Sequence, residues 1–182
     1  MRREFWTVSN VLSLTRPLLA IGFAAVMLSG LPSARGWGAV IVILTGLTDR
    51  YDGILARRLN QVTEWGKILD PLSDKIAAAI AALVLLRLGD LPLWFLVVLV
   101  ARDLLILAGG LYLKVARKLV LGSNETGKWS MAVIALTFFI LVLGGPSTPG
   151  TVGIWLSTLL CAVSLGLYLR RFITECRTNP AG

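Results

Sequence analysis

Residues 41–86 read IVILTGLTDRYDGILARRLNQVTEWGKILDPLSDKIAAAIAALVLL. Two apolar runs flank a charged middle. The first run ends in Asp49-Arg50-Tyr51-Asp52-Gly53-Ile54-Leu55-Ala56-Arg57, and the second opens on Gly66-Lys67-Ile68-Leu69-Asp70-Pro71-Leu72-Ser73-Asp74. Steps of three and four put Asp49, Asp52 and Ala56 on one face of a helix. Steps of four put Gly66, Asp70 and Asp74 on one face of the next. A short charged turn, Arg57 to Lys67, joins the two, so the helices are predicted to be antiparallel neighbours whose acidic faces meet.

The rest of the chain repeats this alternation of apolar run and turn. Hydrophobic residues make up 56% of the 182 positions and charged residues only 15%, against about 25% charged in a soluble domain. Spanning a bilayer takes roughly 20 apolar residues as helix. Six such helices are predicted: Val11 to Leu28, Trp37 to Ala56, Ile68 to Leu86, Leu91 to Val115, Gly127 to Leu143 and Val152 to Tyr168. Pro32-Ser33, Gly89-Asp90 and Gly144-Gly145-Pro146 mark three of the turns. The expected class is an all-α integral membrane protein with six transmembrane helices, forming a single domain over residues 1–182. A soluble globular enzyme, a disordered tail and a disulfide scaffold are excluded.

Basic residues set the orientation. The chain carries 18 Lys and Arg against 10 Asp and Glu, a net charge of +8. Arg2 and Arg3, then Arg57, Arg58 and Lys67, then Arg117, Lys118 and Lys128, then Arg170, Arg171 and Arg177 all fall on one side; the other side holds Arg35 and Arg87. The positive-inside rule puts both termini in the cytoplasm. Contact with anionic lipid headgroups explains the basic balance better than nucleic acid does. Met1 to Glu4, with Trp6, fits a short interfacial helix ahead of the first span. The rival reading of that end, a secretory signal, is interrupted by Ser13, Thr15 and Arg16. The six Trp read as interfacial belts.

There is no His, so acid–base and metal chemistry falls to carboxylates. Four aspartates in one apolar pocket repel one another and are costly to desolvate. Divalent metal relieves that conflict, and all-oxygen ligands point to Mg²⁺ or Mn²⁺ rather than zinc. Two such ions about 4 Å apart clamp the attacking and leaving oxygens of a phosphoryl displacement. Gly53 and Gly66 leave room for a ligand to approach the backbone. Ala56 keeps its face open, and Arg57 offers a fork for phosphate. The bland alternative is a set of ion pairs with Arg50, Arg57, Arg58, Lys67 and Lys75.

These residues resemble the CDP-alcohol phosphotransferase family, also called CDP-alcohol phosphatidyltransferases. The family motif D-x2-D-G-x2-A-R-x8-G-x3-D-x3-D is met at Asp49, Asp52, Gly53, Ala56, Arg57, Gly66, Asp70 and Asp74. At average residue usage a chance match is on the order of 1 in 10⁷. The resemblance implies transfer of a substituted phosphate from a CDP-linked donor to an alcohol, with release of CMP, in a homodimer. It implies that Asp49, Asp52, Asp70 and Asp74 hold two divalent ions, and that Asp74 takes the acceptor hydroxyl proton. Asp52, Gly53, Ala56, Arg57 and Gly66 match positions around the CDP moiety, and Asn10 and Arg16 close the nucleotide side.

The run Asn10-Val11-Leu12-Ser13-Leu14-Thr15-Arg16-Pro17 looks like the opening of the bacterial phosphatidylglycerophosphate synthase subgroup. That subgroup works in the cytoplasmic membrane on CDP-diacylglycerol, with glycerol 3-phosphate as acceptor. Arg102-Asp103 is instead reminiscent of eukaryotic-type cardiolipin synthases of the same family, whose acceptor is phosphatidylglycerol. Arg102, Lys118 and Lys128 are the candidate ligands of an anionic acceptor; an internal ion pair and plain headgroup attraction are the structural alternatives. From other classes, a cation transporter using the acid cluster and a non-catalytic scaffold remain as rivals.

Overall fold

In the computed structural model the backbone is described for residues 8–58, 66–117 and 125–178, and side-chain surroundings for 15–48, 72–113, 115 and 125–175. Six helices account for nearly all of it: α1 (Val8–Met27), α2 (Ala34–Arg58), α3 (Gly66–Arg87), α4 (Leu93–Arg117), α5 (Glu125–Gly144) and α6 (Thr148–Thr178). No strand occurs among the described residues. Two compact units emerge: Met1–Asp90 with Val142–Gly144, and Leu91–Leu141 with Gly145–Gly182.

In the first unit α1 packs against both α2 and α3. Its inner face is Arg16, Ala20, Phe23 and Met27, spaced four, three and four apart. Gly38 of α2 brings that backbone against α1: a Cβ there would lie 2.6 Å from Met27 Sδ. The turns end as expected. Gly89 takes φ +77°, with Asp90 N–H donating to Leu85 O at 2.9 Å and Gly89 N–H to Leu86 O at 3.1 Å. That is a Schellman closure, which glycine accommodates because it lacks a Cβ. Gly145 closes α5 in the same left-handed region, φ +62°.

Asp90 is only 3% exposed and is held by Arg35 Nη2 at 2.9 Å. Arg35 Nη1 also donates to the carbonyl of Val142 at 3.3 Å. The pair joins the start of α2 to the turn that follows α3, so these two helices run antiparallel. The last turns of α2 and the first turns of α3 therefore fall at the same end. From Arg35 to Asp52 along α2 is about 25 Å at 1.5 Å rise per residue.

The second unit buries several polar groups among its apolar core and turns a long apolar stripe outward. On α4, Leu93, Val97, Val100, Leu104, Leu107, Leu111 and Val115 form one exposed stripe, while Arg102 is buried. On α6 the buried positions include Ser157, Cys161 and Ser164. Water does not favour such an arrangement; a hydrocarbon solvent does. Gly109 of α4 sits under Tyr168, where a Cβ would come within 2.9 Å of the hydroxyl, and that hydroxyl donates to Ile106 O at 3.1 Å. Trp94 meets Trp155 at 5.2 Å between ring centroids, and Tyr112 meets Phe172 at 5.9 Å. α4 and α6 are therefore parallel. Thr137 bonds Ser157 at 3.0 Å while Gly150 faces Leu141, so α5 runs the opposite way.

Among the described residues three helical stretches are long and apolar enough to cross a membrane: Leu93–Leu113, Glu125–Gly144 and Thr148–Glu175. α1 and α2 carry shorter apolar stretches, Thr15–Met27 and Ala34–Thr48. One boundary differs clearly from expectation: α6 continues past Tyr168 to Thr178. The packing of Phe172 on Tyr112 carries the α4–α6 contact past Tyr168.

Asp90→Ala strips Arg35 of its buried partner. It is expected to lower stability by about 2 kcal/mol, read as earlier melting in detergent. Arg87→Ala, at an exposed position just before the same turn, is expected to change stability by less than about 0.5 kcal/mol.

Candidate functional site

The acidic motif lies wholly on helix. Asp49, Asp52, Gly53, Ala56 and Arg57 occupy the last turns of α2; Gly66 opens α3, and Asp70 and Asp74 follow one and two turns later. Opposite polarity of α2 and α3 brings both acid pairs to one end of the first unit. The side-chain surroundings of Asn10, Asp49, Asp52, Gly53, Ala56, Arg57, Gly66 and Asp70 lie outside the described residues, as does Lys118 altogether.

Asp74 is described. Its side chain is 53% exposed, and Oδ1 accepts a hydrogen bond from Arg16 Nη1 of α1. Arg16 is itself 2% exposed. The resemblance sets Arg16 on the nucleotide side; the structure seats its guanidinium on the proposed base. Neighbouring Ser73 is buried, so Asp74 stands beside the inner face of α3.

Whether a divalent metal suits this end can be judged from the donor set. Both acid-bearing stretches are helical and share one end of the unit, the donor atoms their aspartates offer are all hard oxygens, and the chain has no His. That set fits Mg²⁺ or Mn²⁺. Among the described residues no group of three or more His, Cys, Asp or Glu is gathered; three of the four aspartates fall outside them.

The second unit holds the acceptor candidates Arg102 and Lys128. Arg102 is 7% exposed. Its Nη1 donates to Asp103 Oδ1 at 3.2 Å and approaches Met131 Sδ at 3.4 Å. Its Nη2 donates to Ser130 Oγ at 3.0 Å, and Ser130 in turn donates to Gly127 O at 2.9 Å. The Nε is buried without a hydrogen-bond partner among the described residues. Lys128 pairs with Glu125 at 2.7 Å on an exposed helix face, a contact of small energetic weight. Sequence reading missed the Arg16–Asp74 pair and the part Ser130 plays. The signal for Ser130 was its place just after Gly127-Lys128; no local pattern marks the partner of Arg16, which lies 58 positions away.

A model of the CDP-alcohol phosphatidyltransferase family matches residues 6–169. The chain is 31% identical over 180 residues to a probable phosphatidylglycerophosphate synthase of Mycobacterium tuberculosis, covering 96% of this chain and 85% of that protein. It is 33% identical over 141 residues to the CDP-diacylglycerol–glycerol-3-phosphate 3-phosphatidyltransferase of Bacillus subtilis, covering 74% and 72%. A putative cardiolipin synthase of Mycobacterium bovis is 37% identical over 139 residues, covering 76% and 65%.

Ser130→Ala removes an acceptor from a buried guanidinium. A loss of about 1–2 kcal/mol is expected, with Ser130→Thr retaining most of the stability because the hydroxyl is kept. Thermal melts of the two variants in one detergent check this.

Proposed function

The chain belongs to the CDP-alcohol phosphatidyltransferase family, and from that premise we propose that it transfers a phosphatidyl group from CDP-diacylglycerol to glycerol 3-phosphate, yielding phosphatidylglycerophosphate and CMP. The observation that carries the reading is the full eight-residue motif on two helices of opposite polarity. Relatives named for this reaction cover most of the chain and support the acceptor.

Asp49, Asp52 and Asp70, together with Asp74, are the residues that would hold two divalent ions, whose chemistry is to neutralise the diphosphate oxygens. Gly53, Ala56 and Gly66 keep the helix surfaces low where CDP lies. Arg57 forks onto a phosphate, and Asn10 closes the nucleotide side. Asp74 accepts the proton of the acceptor hydroxyl. That oxygen then forms a bond to the phosphorus of the phosphatidyl group as the bond to the CMP oxygen breaks. Orientation and charge neutralisation carry most of the acceleration. Arg102, Lys118 and Lys128 are the proposed ligands of the acceptor's phosphate.

The same reading takes residues 1–182 as one functional domain of six spans, with both termini and the active end in the cytoplasm of a bacterium, assembled as a homodimer among anionic lipids. Tryptophan placement supports six spans. Trp6, Trp37, Trp65, Trp94, Trp129 and Trp155 each fall at or near the N-terminal end of a different helix. Alternating spans then put three at each interface, as aromatic belts require. A cation pathway would place acids near the bilayer midplane; here the motif gathers toward one end.

Arg102-Asp103 and the similarity to a putative cardiolipin synthase favour one second reading, with phosphatidylglycerol as acceptor.

Purified protein given radiolabelled CDP-diacylglycerol is expected to release CMP with glycerol 3-phosphate, only in the presence of Mg²⁺ or Mn²⁺, and to stop when a chelator is added. Turnover with phosphatidylglycerol alone transfers the assignment to the second reading; no turnover with either ends both. Asp74→Asn is expected to cut turnover by at least about 10²-fold while leaving CDP-diacylglycerol binding largely intact. Equal loss of binding would remove Asp74 from the role of base.

A further inference from the structure

Arg16 carries a full charge at 2% exposure. Its partner Asp74 is 53% exposed. The pair is lopsided: the cation is enclosed and the anion half open. A guanidinium is costly to bury, and bracing two helices does not require the anion to stay open. Pro17 follows at once. It has no N–H to give the Ser13 carbonyl, so the hydrogen-bond ladder of α1 is interrupted beside Arg16. α1 is also the helix that packs on both acid-bearing helices.

The geometry points to Arg16 as the positioning residue of Asp74: by holding Oδ1 from the buried side it aims the other carboxylate oxygen at the acceptor hydroxyl. The inference rests on the reading of Asp74 as base. An aspartate carboxylate turns freely about its terminal torsion, which has only a broad two-fold preference. A guanidinium on one oxygen removes that freedom before substrate arrives. A general base must lie about 2.6–3.2 Å from the proton's oxygen. A misplacement of roughly 1 Å costs about 10²-fold in rate. Arg16 acts through Asp74 and touches neither substrate. The nucleotide-side role makes a different demand, since there the guanidinium must bind the donor.

The test compares wild type, Arg16→Lys, Arg16→Gln and Asp74→Asn in detergent. It reads steady-state CMP release for kcat and acceptor KM, equilibrium binding of CDP-diacylglycerol, and thermal melting. Arg16→Gln is expected to lower kcat by about 10²-fold with acceptor KM and CDP-diacylglycerol affinity largely unchanged. Arg16→Lys, which keeps the charge and a donor, recovers a substantial part of kcat. Loss of CDP-diacylglycerol affinity in step with kcat puts Arg16 on the nucleotide and overturns the proposal, as does wild-type kcat in Arg16→Gln. Should melting show that Arg16→Gln does not fold, the same split in Arg16→Lys decides: lowered kcat at unchanged affinity supports the proposal, and lowered affinity overturns it. A wild-type protein that releases no CMP, or an Asp74→Asn variant of normal turnover, brings down the reading of Asp74 itself. The Arg16 variants alone bring down only its positioning.

Discussion

A charge carried into a bundle whose outer face meets hydrocarbon has to find its partner within the protein. Three guanidinium groups show the rule at work. Arg35 neutralises Asp90, Arg16 holds Asp74, and Arg102 is shared between Asp103 and Ser130. These contacts also set geometry. Arg35–Asp90 gives α2 and α3 opposite polarity, and that polarity alone carries two acidic stretches, far from Arg35 along the chain, to a common end.

That common end carries the four aspartates of the motif. Carboxylates crowded at the edge of an apolar phase either protonate or gather cations. A family whose donor is a lipid-linked diphosphate makes use of such a set, because the ions that relieve the acids also relieve the phosphates. On the proposed function, chemistry at an edge suits such a donor, whose acyl chains would stay in the bilayer while its nucleotide stays wet.

The second unit meets the same constraint differently. Arg102 sits well inside α4, and its charge is spread over one carboxylate, one hydroxyl and a thioether. Small residues let helices of this unit come close. Gly109 lets Tyr168 reach a backbone carbonyl, and Gly153 admits Thr137. Both of these glycines face a neighbour of the same chain.

The six helices among the described residues, their approximate limits, the turns at Gly89 and Gly145 and the acidic motif were all legible in the sequence, because each is a local pattern: apolar run length, left-handed glycine, three- and four-residue spacing. The end of α6 was not, since its last turns are polar and persist through the contact of Phe172 with Tyr112. Nor were the partners of Arg16, Arg35 and Arg102 legible, apart from adjacent Asp103. A charge's sequence position says that it needs a partner; which residue answers depends on how helices distant in sequence lie against each other. The chemistry available to this protein was written in its residue types, and the pairing of those residues was decided by packing.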